Sequence, residues 1–571
     1  MWRVAVVVAA VALLPAGASA EAPPETPILT AMAAELERSM RVLADAPDPP
    51  YFLSYEVTER HNVVVRGAFG TAQASTDSRT RQLDIDLRVG DPELDNTRQI
   101  RGQFGRFDRG EGYSYVAMPL DDDADAIRAV LWYQTDRRYK SARERLTRVR
   151  TNVQVAVEQE DRSADFSPEE AISLIEEPFE LSIDTASWEA KVRRYSAPFA
   201  RHGEIYSGSA SLVASVETRW YVNSEGSRVR VTSPSYRLVL SGQTKADDGM
   251  DLPRYESFFS RSLDGLPDDA TVLATAERMA SDLLALREAP VVDPYTGPAI
   301  LSGRASGVFF HEVFGHRIEG HRLKNESDGQ TFKKLLDEPV LPDSISVYFD
   351  PTERAVGDTD LAGSYRVDNE GVSARRVPVI EDGVFRRFLM SRSPIDGFSS
   401  SNGHGRREPG YSAVSRQSNL LVEVDEPVTS EALKRLLLDE VERQGKPYGL
   451  RFEDIQGGFT HTGRTRPNAF NVLPILVYRV FPDGTEELVR GVDLVGTPLT
   501  AFGKVVTGDD RPQVFNGTCG AESGGVPVSA VSPALLISEI EVQKKAKSQD
   551  RPPILPAPLG VPAEAGAEIS P

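Results

Sequence analysis

The sequence predicts an α+β protein. A mixed amino-terminal α/β domain is followed by a β-rich carboxy-terminal domain, barrel-like or built on a curved sheet, that carries a histidine-bearing helix. Three observations lead there. The 571 residues exceed what a single hydrophobic core organises. Helical periodicities and strand alternations are interleaved through the first half. Beyond the histidine-bearing helix, strand patterns and Gly-rich turns take over, with one helix among them. The chain is 40% hydrophobic and 26% charged, enough apolar material for sizeable cores.

Residues 1–20 differ in composition from the rest. Arg3 supplies a basic start, Val4 to Leu14 an apolar run, and Ala18-Ser19-Ala20 a small-residue cleavage site. This is the pattern of a cleaved secretory signal, with the mature chain starting near Glu21. The apolar run falls short of the ~20 residues a membrane-spanning helix needs, and no later segment is apolar enough to span a bilayer. The expectation is an exported protein, periplasmic or secreted.

The amino-terminal domain is expected over 21–290. After a Pro-rich linker, Ile28, Met32, Leu36, Met40 and Leu43 recur at helical spacing, and the helix ends before Pro47. Leu83, Ile85, Leu87 and Val89 alternate with polar residues, giving a half-buried strand that stops at Gly90-Asp91. A long Arg-rich helix is predicted from about Asp123 to Arg150. Ser167-Pro168-Glu169-Glu170 reads as an N-cap followed by a Pro at the first helical position. Strands around Ser211 to Val222 and Tyr236 to Leu240 follow, with a turn at Asn223-Ser224-Glu225-Gly226, and a helix from about Asp268 to Arg287 closes the half. Pro and Gly cluster over Ala289 to Pro298, which marks the boundary.

The carboxy-terminal domain is expected over 291–546. It opens with the histidine-bearing helix and contains hairpins at Ile380-Glu381-Asp382-Gly383-Val384 and around Asp483-Gly484. One helix interrupts the strands over about Ser430 to Gln444. The tail, 547–571, is rich in Pro and poor in large apolar residues, the composition of a disordered segment.

A formal charge of −20 and a pI near 5.0 exclude non-specific binding to nucleic acid, which requires a basic footprint. Cys519 is the only cysteine, so no intramolecular disulfide is possible in a chain bound for an oxidising compartment.

The chemistry points to His311-Glu312-Val313-Phe314-Gly315-His316. The familiar zinc-peptidase helix spaces its histidines four apart, so that both face one ion. Here they are five apart, which at ~100° per residue puts them about 140° from each other on a regular helix. A π-bulge at Gly315 would restore the facing. Glu312 has the position of a general base beside the first histidine. A catalytic zinc needs a third protein ligand, and His321, Glu319 and Cys519 are all candidates.

The residues from about Ser302 to Val542 resemble the TldD/PmbA family of metallopeptidases, in particular its TldD-type catalytic branch. The resemblance is carried by HEVFGHRIEGH (311–321), VDNEGVSARRVPVIEDGVF (367–385), NGHGRR (402–407), RGVDLVGTPL (490–499) and FNGTCGAESGGVPVSAVSPALLISEIEV (515–542). It implies one zinc per chain held by His311, His316 and Cys519, with Glu312 as acid/base. It also implies a homodimer, or a heterodimer with an inactive paralogue, and a peptide substrate. Arg406 and Arg407 of the NGHGRR loop are candidates to hold the substrate backbone, against a reading as solvated arginines on a Gly-rich turn.

The function expected is therefore zinc-dependent hydrolysis of peptide bonds in unfolded or flexible peptides. Zinc-bound water is the nucleophile and Glu312 the general base. The alternatives are a non-catalytic peptide-binding or assembly protein with a structural metal, and a zinc amidase acting on a cell-envelope amide.

Overall fold

The computed structural model describes residues 26–100, 113–155, 161–325, 328, 330–463, 470–545, 551–553, 555 and 558. The expected signal segment 1–20 lies outside the described residues, as does the tail 547–571 apart from the last five positions just named.

One sheet organises the amino-terminal half. Strand Pro50–Ala68 pairs antiparallel with Thr71–Val89 on one side and Ser207–Asn223 on the other. Arg228–Lys245 and Asp251–Ser260 continue it, and the short Ser173–Ile175 joins in parallel. The period-2 alternation of these strands gives the sheet two different faces. Leu53, Tyr55, Val57, Val63 and Val65 point to the helical face. Helices α1 (Pro27–Leu43) and α2 (Ala124–Val155) cover one end of it, α3 (Thr185–Ser196) and α4 (Asp269–Glu288) the other. Thr26 caps α1 ahead of Pro27, and Asp268 caps α4 by accepting from Thr271 N at 2.8 Å.

The opposite face is polar yet buried, because it packs on the carboxy-terminal half. Arg219 donates to the Asp368 carbonyl at 3.0 Å, Tyr221 to the Glu370 carbonyl at 3.0 Å, and Arg407 to Glu56 Oε1 at 3.1 Å. Alternate residues on the same strands thus build a core on one side and a docking surface on the other.

The helix expected to start at Ser167 does not form. The Ser167 hydroxyl donates to Glu169 Oε1 at 2.8 Å instead of capping a turn, and its carbonyl is gripped by the Arg392 guanidinium at 2.6 and 2.9 Å. Those contacts to the other half hold the segment extended, a tertiary override of a local capping signal.

In the carboxy-terminal half, strands Tyr295–Leu301, Gly449–Thr460, Phe470–Val480, Val492–Gly496 and Leu535–Lys544 close into a five-stranded barrel. A second sheet runs in the order Val384–Phe385, Val377–Glu381, Ile345–Phe349, Asn419–Val424, Gly524–Ser532, Gln513–Ala521. Helix α5 (Gly303–Val313) lies between the two. Its Phe309, Phe310 and Val313 share one core with Phe452 and Val472 of the barrel and Val347 and Leu420 of the sheet. Helices α6 (Ser430–Arg443) and α7 (Pro498–Phe502) complete the half. The two expected hairpins form, the first turning on Asp382 and Gly383, both with positive φ as the tightest hairpin turns demand.

Close approach of α5 to the second sheet depends on glycine. A Cβ on Gly303 would stand 2.3 Å from the Ser532 carbonyl oxygen, a backbone atom with no freedom to retreat. Gly303→Ala is therefore expected to destabilise the protein by about 1–3 kcal/mol through overpacking, read from the midpoint of urea unfolding.

Candidate metal centre

Ser302 ends the first barrel strand and caps α5. Its hydroxyl accepts from Ala305 N at 3.3 Å and donates to the Glu453 carbonyl at 2.8 Å. The helix stops at Val313. The expected π-bulge is absent: the chain leaves α5 at Phe314 and makes a 3-10 turn over Gly315–Arg317. Two contacts account for this. Arg317 turns back to donate to the terminal carbonyls of Glu312 (2.7 Å) and Val313 (3.1 Å). The Gln417 side chain occupies the space where a Cβ on residue 315 would sit, and its Nε2 donates to the His311 carbonyl at 3.3 Å. Breaking the helix does the work assigned to a bulge, leaving the two imidazoles edge to face with centroids 5.0 Å apart.

Cys519 arrives on strand Gln513–Ala521, opposite Val526. One donor atom from each of His311, His316 and Cys519 lies within 4.8 Å of the others, and Cys519 Sγ is 3.3 Å from His316 Nε2. Donors on a tetrahedral zinc stand roughly 3.4–3.8 Å apart, so the three need only a small contraction to hold one. All three are buried. Burial would raise the Cys519 thiol, but His316 and then His311 outweigh it and hold it well below its ordinary value, favouring the thiolate that a metal requires.

A layer of charge orients these groups. His316 Nδ1 faces Glu319 Oε2 at 3.3 Å, the carboxylate–histidine arrangement that aims the other ring nitrogen at a metal. Burial works against ionising Glu319, but Arg322, His316 and Arg416 outweigh it and hold its carboxyl down to about 2. Arg416, fully buried, donates to the Cys519 carbonyl at 2.6 Å and lies 3.5 Å from Glu319 Oε1, tying the cysteine strand to the histidine segment. Of the other candidates for third ligand, Glu319 is thus engaged behind His316, and His321 is paired with Glu522. Arg416 and Gln417 carried no signal in the sequence, since each acts through a contact with a distant segment, and Arg317 and Glu522, although inside motif segments, were not singled out.

Glu312 differs from all of these. Burial raises its carboxyl above the usual range against the pull of His311 and His316, and its Oε2 has no hydrogen-bond partner among the described residues. The group borders a cavity of about 600 Å³ that also exposes His311, His316 and Cys519. Gly458 lies against it: a Cβ there would stand 2.6 Å from Glu312 Cγ. The amino-terminal sheet contributes Arg237, Val239, Tyr255 and Ser257 to the far wall.

Arg406 and Arg407 do not reach this cavity. Arg406 is buried, donates to the Gln417 carbonyl at 2.5 Å and stacks over Tyr365. Arg407 binds Glu56 at the junction of the two halves and lies 3.5 Å from Asp84. They are neither solvated nor beside the metal donors.

A barrel and a sheet joined by a helix, with three soft and borderline donors converging beside a carboxylate unpaired among the described residues, define an α+β protein with a candidate metal site. The chain belongs to the PmbA/TldD metallopeptidase family: residues 162–287 match the model of the PmbA/TldA metallopeptidase central domain, and 294–544 that of the PmbA/TldA metallopeptidase C-terminal domain. It is 29% identical to a metalloprotease of Methanocaldococcus jannaschii over 233 residues, covering 40% of this chain and 47% of the relative. It is 30% identical to a metalloprotease of Archaeoglobus fulgidus over 240 residues, 42% of this chain and 51% of that one. The chain spans about half the length of these curated relatives. The structure of TldE from Thermococcus kodakarensis has the same fold, with a TM-score of 0.58 at 13% identity, covering 89% of this chain and 100% of that one.

Proposed function

We propose that the protein is a zinc-dependent peptidase that hydrolyses unfolded or flexible peptides. The observation that carries this reading is the convergence of His311, His316 and Cys519 beside the unpartnered Oε2 of Glu312, at the wall of a cavity with room for a peptide segment. The donor set suits zinc, since imidazole and thiolate together select it over harder cations. When bound by these three residues, the ion supplies Lewis-acid polarisation of a carbonyl and acidifies water at neutral pH.

The remaining work falls to the chain's own groups. Glu312 Oε2 accepts the proton of the attacking water and returns it to the leaving amine. Its raised affinity for a proton suits that exchange, and no competing donor among the described residues holds it in place. Glu319 fixes the His316 ring, and Arg416 holds the carbonyl of Cys519. A purely structural metal site has no use for Glu312, which argues against a non-catalytic role.

The signal-like residues 1–20 support action outside the cytoplasm, and the family resemblance supports a dimer. Among the described residues no helix is long and apolar enough to cross a membrane. The test is removal of the metal. Chelation is expected to abolish cleavage of a flexible peptide, and added zinc to restore it. A fall in melting temperature without cleavage of any peptide by the zinc-loaded protein would assign the site a structural role instead.

A further inference from the structure

The cavity contains a cation that the chemistry above leaves unused. Among the described residues two arginines line it, Arg322 and Arg237. Arg322 is consumed by Glu319 at 2.7 Å and Glu522 at 3.1 Å. Arg237 projects from strand Arg228–Lys245 of the amino-terminal sheet, and among the described residues no carboxylate pairs with it. Its Nη1 donates to Ser257 Oγ at 2.8 Å and to the Asn516 carbonyl at 3.0 Å, and its guanidinium stacks on Phe259, 5.2 Å from the ring centroid. Nε and Nη2 have no acceptor among the described residues.

This is a built site rather than a stray surface arginine. One nitrogen and the flat face are fixed, which leaves an edge of the planar fork for a bidentate carboxylate partner. Burial pulls the group below its ordinary value, with no neighbouring carboxylate among the described residues to offset it, the state in which an incoming anion gains most. The anchor also sets a distance. Asn516 lies three residues before Cys519 on one strand, roughly 10 Å at ~3.3 Å per residue. An extended substrate covers the same span in about three residues.

We propose that Arg237 is a specificity-determining residue that binds a substrate carboxylate about three residues from the scissile bond, either an Asp or Glu side chain or the free carboxy terminus of the peptide. The inference rests on the peptidase reading, deepening it to a class of substrate: anionic peptides, selected by a residue of the amino-terminal domain.

The experiment separates binding from cleavage. Full-length Glu312→Gln protein, loaded with zinc, is titrated with fluorescent peptides that differ only in having Glu or Gln at one position, or a free or amidated carboxy terminus. A preference of about ten- to hundred-fold for one anionic form is expected, the range for a charge-assisted hydrogen-bonded pair. Which pair discriminates identifies the source of the carboxylate. Adding Arg237→Gln should erase the preference, Arg237→Lys should retain part of it, and Arg237→Glu should reverse it towards peptides with Lys at that position. Equal affinity for charged and neutral peptides, no binding of any peptide, or a preference that survives in Arg237→Gln would overturn the proposal. Peptide cleavage by the wild-type protein is scored separately, so failure of the hydrolytic reading is seen independently of these affinities.

Discussion

In Glu312→Gln protein, cleavage of a flexible peptide should fall by about 10²–10⁴-fold, the usual contribution of a positioned acid/base, while zinc stays near one ion per chain. Gln keeps the shape of the side chain and its packing against Gly458, but it cannot accept a proton. Because burial raises the Glu312 carboxyl, and a base must be deprotonated to act, wild-type activity should rise with pH through an ionisation above that of an exposed glutamate. The variant should lose that limb of the profile. Full activity in the variant would remove Glu312 from the chemistry. Loss of zinc together with activity would make the carboxylate a ligand.

Cys519→Ser should have its largest effect on the metal itself. A serine hydroxyl is not a thiolate at neutral pH, and the His316–Cys519 contact of 3.3 Å would join imidazole to a neutral group. Zinc affinity is expected to drop by more than about 100-fold, since even partners behind the ligands are worth 10–100-fold. Competition with a chromogenic chelator measures this directly. Unchanged affinity would return the choice to Glu319 or His321. Both would first have to be freed, the former from Arg322 and Arg416, the latter from Glu522.

Most of the fold was legible because it is written in local periodicity. Helices α1, α2, α4 and α6 follow apolar spacing and caps, and the hairpins follow Asp-Gly turns. The segment at Ser167 misled because its capping residues answer to Arg392, more than two hundred positions away. The site was legible in part. His311, Glu312 and His316 announce themselves by type and order, but how five-residue spacing brings two imidazoles together did not follow from helical geometry. That depends on Gln417 filling the space beside Gly315 and Arg317 capping α5. Cys519 was reached through family resemblance, not spacing. Arg237 had no signal at all, since an arginine in the middle of a strand reads as solvent-facing until the opposite wall is known.

The pairing of Tyr295–Leu301 with Leu535–Lys544 has a consequence for biogenesis. The first and last strands of the barrel are neighbours, so the ring cannot close before Leu535–Lys544 has been made, however well the earlier segments have folded. Contacts so distant in sequence form late and slowly. Cys519 comes shortly before that strand, 203 residues after His316, so the histidines are made long before it. A chain elongated only past the histidines therefore lacks the third candidate donor, and the site cannot assemble until strand Gln513–Ala521 has been made.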